Sequence, residues 1–190
     1  MSDIAGLSQV MKREGIIVWL DMEMTGLEPE RDRIIEVAVI LTDAHLNIIA
    51  EGPEFVVQQP RHVLDNMDEW NTKHHGESGL TERVKRSTIT EKHAEDEILR
   101  FLGMYCTERS APLAGNSIHQ DRRFIVKYMP RLDHFLHYRM IDVSTVKELA
   151  KRWYPDAVDR GLKKRNTHRA MDDIRESIEE LKYFRRHVFR

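Results

Sequence analysis

A chain of 190 residues and 22.5 kDa, 41% hydrophobic and 33% charged, is long enough for one ordinary domain with a buried core. Nine Gly, six Pro and a single cysteine, Cys106, exclude a collagen-like or disordered composition, an internal disulfide framework and a Cys-based zinc site. The net charge of −2 hides an uneven spread, because residues 160–190 hold ten Lys or Arg against five Asp or Glu. That stretch reads as a solvated helix with its preceding loop or, functionally, as a positive wall for a phosphate-bearing ligand.

Residues 1–15 lack both a secretory apolar region and an Arg-rich transit pattern, and are expected to form a flexible lead-in to one domain over 16–190. No apolar run reaches the roughly 18 residues of a membrane span, and one cysteine suits a reducing compartment, so the expectation is cytoplasmic. Residues 16–22 (IIVWLDM) predict a buried strand, 33–42 a second and 46–57 a third, joined by short turns into an antiparallel meander. The period then changes. Residues 63–71 predict a short helix and 90–105 a longer one, with Ile98, Phe101, Leu102 and Tyr105 on one stripe. Residues 112–116 predict a fourth strand. Ser117 with Gln120 three residues on forms the pattern of a capping box, opening a helix that stops at Pro130. A fifth strand over 137–143, a helix over 144–153, a polar loop over 154–165 and a last helix over 168–189 complete the chain. Meander first and alternation afterwards imply an α/β fold, a five-stranded mixed sheet covered by helices.

The informative residues are acids at apolar places. Asp21 and Glu23 close the first strand, and residues two apart on a strand share a face. Two adjacent carboxylates at the edge of a core repel unless a cation lies between them, and hard oxygen donors suit Mg2+ or Mn2+. Asp121 shares a helical stripe with Phe124, Ile125 and Tyr128, the stripe expected to be buried, so it needs either the helix dipole or a metal as partner. In the last helix Met171, Ile174, Ile178 and Leu181 mark the buried side. Asp173 falls on its flank and Asp172 nearly opposite. His168, five residues before Asp173, is then expected on the turn entering the helix, either as a surface group or aimed at the same site. Taken together, four acids and an imidazole describe a two-metal hydrolytic centre with His168 as general base.

Asp21-Met22-Glu23 with Thr25-Gly26-Leu27, then Gly115-Asn116-Ser117 followed by Asp121, then His168 followed by Asp173, resemble the three exonuclease motifs of the DEDDh superfamily. The flanks at 32–36 (DRIIE), 67–71 (MDEWN), 78–81 (SGLT), 120–124 (QDRRF), 127–130 (KYMP), 137–139 (HYR), 142–145 (DVST) and 170–174 (AMDDI) are similar to oligoribonucleases in particular. The resemblance runs from about residue 16 to the C-terminus, with order, spacing and flanks in agreement. It implies an RNase H-like fold and 3′-to-5′ hydrolysis of short RNA oligomers, diribonucleotides above all, to 5′-mononucleotides. It assigns two Mg2+ or Mn2+ ions to Asp21, Glu23, Asp121 and Asp173, and the general base to His168.

The same resemblance makes Leu27 and Trp70 the residues that pack on the two bases and puts His75 close to the ligand. It sets Ser117, Tyr138, Arg139 and Ser144 around the terminal 5′-phosphate and the 3′ base. A homodimer is implied, with Tyr138 and Arg139 reaching across from the partner. Read from the residues alone, Trp70 is a helix-core residue packed on Met67, and Tyr138 and Arg139 are a strand residue beside a surface charge; only the resemblance gives them the substrate roles. Two other functions compete: a DEDDh exonuclease working on longer single-stranded RNA or DNA ends, and a non-catalytic RNA-binding module. The second should have lost a carboxylate, and all four are present. The N-terminal 15 residues leave a mitochondrial location open for a eukaryotic source.

Overall fold

The structure is a computed structural model, and it describes residues 14–159 and 169–189. Three strands, β1 (Ile17–Met24), β2 (Ile34–Thr42) and β3 (Ile48–Val56), form the meander. Helices α1 (Arg61–Asp65), α2 (Glu69–Glu77), α3 (Leu80–Arg86) and α4 (Glu91–Tyr105) follow, then β4 (Leu113–Gly115). After it come α5 (Ile118–Tyr128), α6 (Pro130–Phe135), β5 (Met140–Asp142), α7 (Val143–Trp153), α8 (Pro155–Asp159) and α9 (Ala170–His187). The sheet order is β3-β2-β1-β4-β5, antiparallel through the meander and parallel from β1 to β4 to β5. The expected five-stranded mixed sheet is therefore present.

Side-chain alternation along β1 sorts the core into two layers. Val18, Leu20 and Met22 pack with Ile98, Leu102, Phe124, Ile125 and Leu132 beneath α4, α5 and α6. Ile17 and Trp19 point the other way, onto Val143, Ala150, Ala170, Ile174, Ile178 and Phe184 of α7 and α9. All nine residues of β2 are buried, as a central strand covered on both faces requires. Trp19 keeps its indole N–H satisfied by donating to Thr42 Oγ1 at 2.9 Å. Because the period of a strand is two, Asp21 and Glu23 continue the Trp19 face and meet α9.

The parallel run has a functional consequence. The carboxyl ends of β1, β4 and β5 open on one edge of the sheet, beside the point where strand direction and order change. Open α/β sheets bind their ligands at such edges.

Several local expectations are corrected. The helix expected over 63–71 is two helices, because the Asp68 carboxylate accepts from Asn71 N and starts α2 afresh. Pro130 ends α5 and also opens α6 at the first helical position, where its missing N–H costs nothing. The fifth strand is shortened to Met140–Asp142, and part of the expected polar loop is α8. The Ser117–Gln120 capping box does not form. Ser117 sits at φ +52°, makes no side-chain cap, and sends its hydroxyl to Ser144, while Gln120 accepts from Arg123.

Candidate active site

Strand β1 delivers Asp21 and Glu23 to the sheet edge, and a register shift between Glu23 and Met24 bends the strand there. Helix α9 delivers Asp173 in its first turn. One oxygen from each of Asp21, Glu23 and Asp173 lies within 4.8 Å of the other two. Asp172, its neighbour in sequence, turns outward and pairs with Arg175 at 3.0 Å. Asp121 approaches from the other layer. Its Oδ1 accepts from the Met22 amide at 3.0 Å, which fixes the buried carboxylate against the end of β1.

These charges are crowded and poorly hydrated. Burial, then Asp121 and Glu23, hold the Asp21 carboxyl well above its ordinary range. Burial together with Asp173 and Glu36 pushes Glu23 up to about 8. Asp121 rises to about 7, chiefly by burial, opposed by backbone amides including that of Met22. Oxygen-only donors that repel one another at this spacing fit a hard divalent cation, whose charge relieves the repulsion.

A fifth acid, given no site role from the 32–36 flank it belongs to, lies beside these. Glu36 is fully buried and stands opposite Glu23 in the β1–β2 register. It accepts from Arg83 Nη2 at 2.7 Å and from the Ala170 amide at 3.3 Å, so it ties α3 to the start of α9. Its signal was available, since it is the one charge within the run IIEVAVIL.

The remaining candidates divide by depth. Leu27, Trp70 and Tyr138 are 58%, 62% and 67% exposed, unusual for large apolar side chains, so the helix-core reading of Trp70 fails. Trp70 stacks on His74 with centroids 4.2 Å apart. Arg123 holds the Leu27 carbonyl at 3.1 Å, and a cleft of about 500 Å3 opens beside Leu27, lined by Thr25, Asp32, His62 and Asp68. His75 is buried, its Nε2 2.9 Å from the Met24 carbonyl oxygen and its Nδ1 4.0 Å from Glu23. The Ser117 and Ser144 hydroxyls lie 3.2 Å apart. Arg139 lies with its guanidinium 5.3 Å from the Tyr138 ring centroid. His168 lies outside the described residues, one position before Arg169.

Comparison with known proteins supplies a family. An exonuclease family model matches residues 18–181. An oligoribonuclease of Marinobacter nauticus is 58% identical over 174 residues, which is 92% of this chain and 96% of that protein. One from Halorhodospira halophila is 55% identical, over 92% and 94%. Among solved structures, E. coli exonuclease I in a zinc-bound complex with single-stranded DNA aligns over 94% of this chain with a TM-score of 0.69 at 19% identity. Another exonuclease I structure gives a TM-score of 0.72 at 18% identity. The chain spans about two fifths of those exonuclease I chains, and at this identity the likeness speaks for the fold.

Proposed function

With the chain belonging to the exonuclease family, and within it to the oligoribonucleases, we propose how its own residues divide the work of that activity. The protein is a 3′-to-5′ exoribonuclease that acts on short RNA and uses divalent metal. The finer reading is that diribonucleotides are the preferred substrate and that two Mg2+ or Mn2+ ions are held by Asp21, Glu23, Asp121 and Asp173. The observation that carries it is the convergence of Asp21, Glu23 and Asp173 at the open sheet edge. When bound, the ions supply positive charge at the scissile phosphate and favour ionisation of water.

The protein's residues supply the rest. His168 takes a proton from the attacking water as its oxygen adds to phosphorus; the P–O3′ bond breaks with its electron pair going to O3′, which takes a proton from solvent, leaving a 5′-mononucleotide and a free 3′-hydroxyl on the remainder. Leu27 and Trp70 pack on the two bases, which discriminates little among bases because every base offers a π-face. His75, 4.0 Å from Glu23, stands close to the ligand. Ser117, Tyr138, Arg139 and Ser144 bound the terminal 5′-phosphate and the 3′ base, and the planar Arg fork suits that phosphate. Arg139 and Tyr138 act across a homodimer interface. Residues 16–190 work as one catalytic domain, and the cytoplasm is the working compartment. Among the described residues no helix is long and apolar enough to cross a membrane.

The test compares a 5′-phosphorylated diribonucleotide with a twenty-residue RNA, each with Mg2+ and with chelator. Fast, metal-dependent turnover of the dinucleotide supports the reading. Equal or faster cleavage of the long strand favours the long-end exonuclease, and tight binding without cleavage favours the binding module.

A further inference from the structure

One carboxylate stands behind the two serines. Asp142 closes β5, and its Oδ1 accepts from two backbone amides at once, Ser117 N at 2.9 Å and Ser144 N at 2.9 Å. The first belongs to the residue that opens α5 and the second to the first turn of α7. A single oxygen thus ties together the starts of two helices whose serine hydroxyls lie 3.2 Å apart. Ser117 needs the tie, because it occupies the left-handed region at φ +52°, which a non-glycine residue adopts only when its surroundings hold it there. Behind the pair, the Asn116 side chain accepts from Ser144 Oγ at 3.0 Å and donates to Ser177 Oγ at 2.7 Å and Glu180 Oε2 at 3.1 Å, joining the arrangement to α9. Asp142 Oδ2 faces His119 Nδ1 at 3.4 Å.

From this we infer that Asp142 is the positioning residue of the terminal-phosphate pocket: by bridging the Ser117 and Ser144 amides it sets both hydroxyls to receive one phosphate. The inference rests on the assignment of Ser117 and Ser144 to that phosphate. Asp142 bears a negative charge and would repel a phosphate if it touched it. Its bonds to the amides spend that charge on the backbone and leave neutral hydroxyls at the ligand, which on binding exchange their present bonds, Ser117 Oγ to Ser144 Oγ and Ser144 Oγ to Asn116 Oδ1, for phosphate oxygens by rotating about the C–O bond. The geometry also explains why Ser117 is not a helix cap: capping would turn its hydroxyl back toward its own helix.

The experiment measures kcat and KM for a 5′-phosphorylated diribonucleotide and for the same dinucleotide with a 5′-hydroxyl. Wild type is compared with Asp142→Ala, Asp142→Asn and Asp142→Ser. Asn keeps an oxygen able to accept from both amides. Ser still caps α7 but is too short to bridge to Ser117, so it separates the bridge from simple helix capping and serves if the Ala variant does not fold. The expected result is a preference for the phosphorylated substrate that falls about ten-fold in the Ala and Ser variants, mostly through KM, and stays near wild type in Asn. The Asp142 charge also acts on Asp121, but that influence is common to both substrates and cancels in the ratio. Equal losses on both substrates, or an unchanged preference in Ala and Ser, would overturn the inference, as would a collapse of preference in Asn. Should wild type itself show no preference for the phosphate, the assignment of the serines fails instead, and the two failures are told apart.

Discussion

The acid cluster and the rim around it are built on opposite rules. Asp21, Glu23, Asp121 and Glu36 are set by strand register and by the buried stripe of α5, and at Asp21, Glu23 and Asp121 burial is the largest influence on the carboxyl. Leu27, Trp70 and Tyr138 are apolar groups left in solvent: Trp70 rests on His74 of its own helix, Arg123 of α5 holds the Leu27 carbonyl, and Tyr138 lies against its neighbours His137 and Arg139. The cluster stores unfavourable burial of acids that a cation would relieve, whereas the rim stores apolar exposure that, on the proposed reading, a base would relieve. The two ends of the site should therefore respond differently to mutation.

The sharpest contrast comes from Asp21→Asn. It should reduce metal-dependent hydrolysis on the order of a thousand-fold, through loss of several kcal/mol of charge stabilisation, while the metal-free protein gains thermal stability because a carboxyl that burial and the neighbouring acids disfavour is gone. Activity assays and thermal denaturation on the same sample check both; a destabilised metal-free variant would contradict the cluster's strain. Arg83→Met comes next. It leaves the buried Glu36 carboxylate without its guanidinium and should cost about 3 kcal/mol of stability in urea unfolding. The same change loosens the Ala170 amide contact and with it the placement of Asp173.

At the rim, Trp70→Ala should leave the urea midpoint almost unchanged, since the side chain is mostly solvent-exposed, yet raise the KM for a dinucleotide about ten-fold. A large loss of stability would return Trp70 to the core.

The smallest effect is electrostatic. Between pH 4.5 and about 8 folded Glu23 keeps a proton that the unfolded chain has released. Its contribution to stability, full below pH 4.5, is lost as the pH climbs through 8. Metal binding needs the ionised carboxylate, so Mn2+ should raise the melting temperature by more at pH 8.5 than at pH 6. Equal shifts would show that the acids are already ionised without the ion.

The two regions also differed in how far the sequence foretold them. Asp21 and Glu23 were readable from period two, and Asp173 was separable from Asp172 by helical phase, because burial patterns are local properties of a strand or helix. Glu36 was visible as the one charge in an apolar run, but its partners, Glu23 across the β1–β2 pair and the Ala170 amide at the start of α9, depend on long-range register. Ser117 carried the residue pattern of a capping box, but tertiary contacts with Ser144 and Asp142 won over the local rule. The helices around Asp68 and Pro130 were missed for a related reason: a side-chain cap and a first-position proline restart a helix where the apolar period alone shows only a pause. Trp70 was ambiguous because one aromatic at helical spacing fits a core as well as a surface, and only the position of α2 decides.

The central claim, that the acid cluster gathers paired divalent ions beside a dinucleotide seat, is met most directly by a Mn2+ binding isotherm taken with a non-hydrolysable 5′-phosphorylated dinucleotide present. The prediction is saturable binding of two ions per chain in the wild-type protein, with Asp173→Asn losing at least one of them while remaining folded. Non-saturable binding, or an Asp173→Asn isotherm that overlays the wild type, would contradict it.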